Sequence, residues 1–328
     1  MGGYSFGSSG PFWNGLSMLG GFPPIFGNWY HVNPRIGGST GTDGKDKNAP
    51  FGNFETAEDA LTSGVGDGIV VWSQGNTSTT SELTGAMAFD KSGCTVVGVH
   101  AGQSFKGRAR VITSSTVAAA YVMDVSGSNN AFYNLHFGNE GTANTCLGCV
   151  RVTGNRNYFY NCHFVGAGHA TPGAVALAAG SSYGAHDLLL ASSENTFERC
   201  TFGDNSIIKA AVNANLVMST QQSKNEFIDC RFIKSSTTAG TGAIGFYATN
   251  ALNGWITFKN CIFTCWYASE VATANTSMIV GAEQTNSGLL FHNCSVVGWS
   301  EIDNATSSVC YSNQPAAHAS AGICAAAG

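Results

Sequence analysis

The sequence predicts an all-β chain wound as a right-handed parallel β-helix, a solenoid with a short N-terminal capping helix and an extended N-terminal arm. Three observations predict it: a six-residue motif repeated at uneven intervals, a cysteine at one fixed place within that motif, and a composition poor in charge and rich in glycine.

The motif reads Phe-x-x-Cys-x-Phe. It appears at Phe159 to Phe164, Phe197 to Phe202, Phe227 to Phe232 and Phe258 to Phe263. A degraded copy runs from Phe291 to Val296, and an earlier one, Phe132 to Phe137, carries Leu135 in place of cysteine. Successive first phenylalanines fall at 132, 159, 197, 227, 258 and 291, so the steps are 27, 38, 30, 31 and 33 residues. Propeller blades and helical repeats hold their period tightly. A coiled sheet tolerates such variation, because its turns swell while its strands stay in register.

Side chains alternate along a strand, so the first Phe cannot share a face with both the Cys and the second Phe unless the chain bends between them. The bend is expected at the residue before Cys. Beyond it, Cys and the second Phe point inward together. Stacked coils then place Cys162, Cys200, Cys230, Cys261 and Cys294 in one internal ladder, beside Phe164, Phe202, Phe232 and Phe263. Asn130, Asn157, Asn195 and Asn225 each precede a first Phe by two positions, while Ile256 stands there in the copy at Phe258. Asparagine accepts left-handed backbone, which suits it to a repeated corner.

Charged residues make up 11% of the chain, glycines number 42, and the formal net charge is −5. This balance excludes a helical bundle and gives no general attraction for nucleic acid or anionic membrane. No apolar run is long enough to span a bilayer. The start lacks the basic segment of a secretory signal, so folding in the cytoplasm is expected. Eleven cysteines, an odd number in a long chain, read as free buried thiols acting as small hydrophobes.

Residues 1–30 form the arm, dense in glycine and aromatics. Phe6, Phe12, Trp13, Phe22, Phe26, Trp29 and Tyr30 are its candidate anchors against a partner. Residues 31–311 form the β-helix, opening with a polar loop at 34–50. A capping helix follows over Phe54 to Leu61, with Glu55, Glu58 and Asp59 turned to solvent. Ile69 to Trp72 is a buried strand, and further rungs stand at Cys94 to Val99 and Tyr121 to Val125. Residues 312–328 are an Ala-rich tail without rung pattern.

The order Tyr30-His31-Val32-Asn33, Gly/Asp loop, Pro50-Phe51, the helix with Thr56-Ala57 and Ala60-Leu61, then Gly66-Asp67-Gly68-Ile69-Val70-Val71 resembles the entry segment of pectate-lyase-like right-handed β-helix proteins. The likeness spans residues 29 to 72, with Ser73-Gln74-Gly75-Asn76 where that family usually turns through Pro-Gly-x-Tyr. It implies the fold. It also directs attention to acidic calcium ligands and a basic proton acceptor, the equipment of such lyases.

That equipment is not evident. The densest acidic cluster is Glu194, Glu198, Asp204, Glu226 and Asp229, with Arg199 and Arg231 nearby, and equivalent rung positions do not repeat the carboxylates. Glu194 and Lys224 are equivalent and predict a solvent-side ion pair. His136 and His163 align in successive rungs and point outward, which reads as a solvated row in preference to the alternative, a metal-binding pair. Cys146-x-x-Cys149 lacks a second ligand pair for zinc. No nucleophile elbow, Walker loop or dinucleotide fingerprint is present. No catalytic residue, cofactor or metal is therefore expected.

The sticky arm before a sparsely charged solenoid resembles β-helical structural proteins of tailed phages. That resemblance implies a non-enzymatic virion protein: a capsid decoration or cement protein, homotrimeric, on the capsid surface, with the major capsid protein or another virion protein as partner. The alternative is a tailspike-like protein that binds or degrades a polysaccharide.

Overall fold

The computed structural model describes residues 27–34, 42–72, 82–83, 85–99, 109–178, 182–209, 213–219, 222–236, 243–248, 252–267, 275–281, 288–303 and 309–312. Three parallel sheets of ten, eight and eight strands run the length of the tube. Each coil lays one strand in each sheet in turn, as with Ala131–Tyr133, Leu135–Asn139 and Val150–Val152.

Register follows the motif. In the first sheet Phe132, Phe159, Phe197, Phe227, Phe258 and Phe291 pair in order. In the second sheet Phe137, Phe164, Phe202, Phe232 and Phe263 do the same. The first file stacks with ring centroids 4.7 to 5.0 Å apart. The second meets it edge-on, for instance Phe164 against Phe197 at 6.1 Å. The third sheet closes the core with Met123, Val125, Val150, Val152, Leu188, Leu190, Leu216 and Met218.

The bend between the two files sits at the residue before Cys. Asn134, Asn161, Arg199, Asp229, Asn260 and Asn293 all have φ between 53° and 57°, the left-handed conformation that turns the strand so both phenylalanines face inward. Cys162, Cys200 and Cys230 are fully buried and lie in one file, with Cys261 and Cys294 above them. Each thiol donates to a backbone carbonyl one coil below, as Cys200 Sγ does to Phe159 O at 3.3 Å. Burial pushes the Cys200 thiol up.

The asparagines two before each first Phe behave differently from expectation. The left-handed residue is one earlier, at Asn129, Arg156, Glu194 and Lys224. Asn130, Asn157, Asn195 and Asn225 are themselves buried. The Oδ1 of each accepts from a backbone amide of the coil below: Cys94 N donates to Asn130, Asn130 N to Asn157, Asn157 N to Asn195 and Asn195 N to Asn225. The corner would otherwise bury unpaired amides, and these side chains satisfy them.

At the entry, the capping helix spans Phe54–Asp59, with Asn53 Oδ1 accepting from Thr56 N at 2.8 Å. Glu58 is buried, not exposed as expected. Its carboxylate accepts from Asp90 N, and burial pushes its pKa up. The first strand, Trp29–Val32, begins within the expected arm and pairs with Gly68–Trp72. Tyr30 turns into the core and stacks on Phe51 at 6.1 Å. Trp29 lies half-buried on the outer face over Gly68, where a Cβ would fall 2.7 Å from its ring. These two residues therefore pack against their own chain instead of standing free as anchors. Phe6, Phe12, Trp13, Phe22 and Phe26 lie outside the described residues, as does the tail beyond 312.

The longest step, from Phe159 to Phe197, carries an unforeseen insertion: a short helix, Ala170–Gly173, and an antiparallel hairpin, Leu177–Ala178 with Ser182–Tyr183. Among the described residues no helix is long and apolar enough to cross a membrane.

Candidate functional site

Alternation along the first sheet turns inward phenylalanines into two outward files. One runs Tyr133, Tyr160, Glu198, Ile228, Lys259 and His292; the other runs Ala131, Tyr158, Thr196, Glu226, Thr257 and Leu290. The lower rungs are aromatic and the next are charged. Tyr133 is buried beneath Tyr158 and Tyr160, whose ring centroids lie 5.8 and 6.1 Å from its own. Tyr158 and Tyr160 are half-buried, while Glu226, Trp255, Lys259 and His292 are exposed.

Hydrogen bonds fix this face. Tyr158 Oη donates to Glu198 Oε2 at 2.7 Å. Burial, reinforced by that carboxylate, pushes the Tyr158 phenol well up. Arg199 Nη1 donates to Tyr160 Oη at 2.6 Å, with its guanidinium carbon 5.6 Å from the ring centroid. Both edges are ordered. On one, Glu194 bridges Arg156 at 2.6 Å and Lys224 at 3.5 Å, which lowers its pKa. On the other, Asn161 donates to Asn134, Asn260 to Asp229 and Asn293 to Asn260.

Of the acidic cluster singled out in the sequence, Glu198 and Glu226 share this face, and Glu194 and Asp229 flank it. Asp204 follows a strand of the second sheet and stands apart. Cys146 and Cys149 are both buried, Cys146 Sγ donating to Val117 O. Among the described residues no group of three or more His, Cys, Asp and Glu could hold a metal. His136 and His163 do not form the expected solvated row: His136 is buried, and the two Nδ1 atoms meet at 3.1 Å. Sequence reasoning passed over the tyrosines, although Tyr133 and Tyr160 follow a motif Phe directly and so must face outward.

A second polar group lies inside the tube, where the second and third sheets meet. Asp187 accepts from Gly166 N and Asn215 Nδ2. Lys209 Nζ donates to Gly166 O and Ala167 O, both at 2.7 Å, and Lys234 Nζ has no hydrogen-bond partner among the described residues. Desolvation lowers Lys209 to about 8 and Lys234 to about 7, and raises Asp187. All three are buried too deeply to meet a polymer.

No family model and no curated protein matches the sequence. Solved structures do. A pectate lyase aligns with a TM-score of 0.56 at 18% identity, over 87% of this chain and 74% of its own. The pectin methylesterase from Aspergillus niger aligns at 0.50 and 16% identity, over 89% of this chain and 85% of its own. The chain is a right-handed parallel β-helix. Both neighbours are enzymes, so the expectation of a non-enzymatic β-helix, drawn from missing sequence motifs, is corrected. The outer face of the first sheet is assembled from successive coils, and a linear motif search does not see it.

Proposed function

We propose that this β-helix is a polysaccharide-acting protein that holds an extended glycan along the outer face of the first sheet. The observation that carries the reading is the pair of fixed contacts on that face: Tyr158 to Glu198 and Arg199 to Tyr160. Aromatic rings offer apolar surface to the C–H faces of sugars, and adjacent polar groups bind hydroxyls. The coils repeat about every 4.8 Å, so the face presents these groups as a track suited to a linear polymer. The two structural neighbours, a pectate lyase and a pectin methylesterase, support a glycan reading by their names.

Glu198 and Glu226 sit diagonally on adjacent rungs, which places their Cα atoms about 8 Å apart. Their carboxyls can reach the roughly 6.5–9.5 Å separation of an acid and base that admit a water between them. The experiment is a binding and sugar-release panel across pectins and bacterial surface polysaccharides. Tyr160→Ala and Arg199→Ala should weaken binding at least tenfold. Glu198→Gln and Glu226→Gln should abolish release while binding persists. A wild-type chain that binds no polysaccharide, or binding unmoved by Tyr160→Ala, overturns the proposal. Nothing among the described residues favours the capsid-decoration reading, whose remaining anchors lie outside them.

A further inference from the structure

His136 and His163 are register partners on adjacent strands of the second sheet, on the outer side of the tube. Their rings lie 4.8 Å apart at 67°, and their Nδ1 atoms are 3.1 Å apart. The protonation pattern follows from the third contact: His163 Nε2 lies 2.9 Å from Gly203 O. A carbonyl can only accept, so His163 carries its proton on Nε2 and its Nδ1 is a bare lone pair. The proton between the two rings then belongs to His136 Nδ1.

Gly203 is itself constrained. Its φ is +89°, and a Cβ there would fall 2.0 Å from Ile233 O. Glycine is thus required where the chain turns this carbonyl toward the imidazole.

We propose that this pair is a two-imidazole site for a transition-metal dication of the zinc, nickel and copper(II) class. Imidazole nitrogen suits those ions. Metal-binding histidines typically donate their other N–H to a carbonyl or carboxylate that fixes the ring, and Gly203 O does this for His163. The span also fits. Two metal–nitrogen bonds of about 2.0–2.1 Å closing a 3.1 Å gap subtend roughly 100°, between square and tetrahedral. Binding needs no net proton loss from a neutral pair: His136 gives up the Nδ1 proton and becomes the Nε2–H tautomer. Arg110, the register partner of His136 on the preceding strand, opposes a dication and keeps affinity below that of a closed four-ligand site.

The test is calorimetric titration of the full chain with zinc chloride and nickel chloride at pH 7.5, with His136→Gln, His163→Gln and, as control, the exposed His292→Gln. One ion per chain is expected. Either pair variant should bind at least tenfold more weakly, the control should match wild type, and binding should fade toward pH 5.5 as protons compete. Nitrogen NMR of the wild-type imidazoles gives a readout independent of variant folding: zinc should move Nδ1 of both rings. Absence of saturable binding, binding that persists in both pair variants, or unmoved imidazole resonances overturns the site.

Discussion

The backbone amide of Asn157 donates to Oδ1 of Asn195, one coil further along, at 2.9 Å. Asn195 also donates through Nδ2 to Ser192 Oγ and Ser193 O, and its own amide is satisfied by Asn225 Oδ1. Truncating it therefore strands a buried N–H as well as removing bonds. Asn195→Ala should cost roughly 2–3 kcal/mol in urea unfolding. Its chain neighbour offers the contrast. Glu194 holds two ion pairs on the exposed edge, where salt and side-chain entropy cancel most of the gain. Glu194→Gln should leave the melting temperature unchanged in moderate salt. Equal effects from the two variants would sink the amide-file account.

The aromatic files carry the larger share of packing. Phe197 stacks between Phe159 and Phe227, with centroids 4.8 and 4.9 Å away, and meets Phe202 edge-on at 5.8 Å. Phe197→Ala opens a cavity at mid-tube, where coils above and below prevent collapse. A loss of about 3–5 kcal/mol is expected. Phe197→Leu should cost clearly less.

Cys94, Cys146, Cys149, Cys162, Cys200, Cys230, Cys261 and Cys294 are free and buried, and Cys265 is free and half-buried. Burial pushes Cys94 up to about 12, and the reactive species is the thiolate. Burial likewise raises Cys200, so alkylation of Cys94 and Cys200, followed by mass spectrometry, should be negligible in the native protein and complete in urea. Rapid native labelling at Cys200 would place that residue outside the core.

The internal architecture was legible because it repeats. Phe159, Cys162 and Phe164 recur with a fixed bend between them, and a one-residue slip would turn every phenylalanine outward, so register is set by the motif alone. The outer face does not repeat. Tyr160, Glu198, Ile228 and Lys259 share one file but no chemistry, so their adjacency emerges only once the coils are stacked. The insertion at 170–183 hid the same way, inside a step that showed only its length. Lys209 and Lys234 carry no sequence signal of their burial, since nothing local distinguishes a buried lysine from an exposed one.

Lys234 gives the sharpest pH prediction. It is buried without a hydrogen-bond partner among the described residues, near Asp187 and Lys209, with buried His186 close by. Desolvation lowers its pKa to about 7 from an ordinary 10.5, and like-charged Lys209 lowers it further while Asp187 opposes the shift. Between those values the unfolded chain binds the proton and the folded chain does not, so this group makes stability rise with pH from about 7 toward 10. Below about 7 its full penalty is present. Lys209, lowered to about 8, adds in the same sense over a narrower window, and His186, lowered to about 4, adds between its folded and ordinary values. Asp187, raised by burial, acts oppositely at acid pH. Lys234→Met keeps the stem's packing and leaves Asp187 with Lys209. It should stabilise the protein by about 1–4 kcal/mol near pH 6, with the gain shrinking as pH approaches 10. Urea midpoints across that range decide it: a gain that is constant with pH, or a loss, means Lys234 is charged and paired in the native tube.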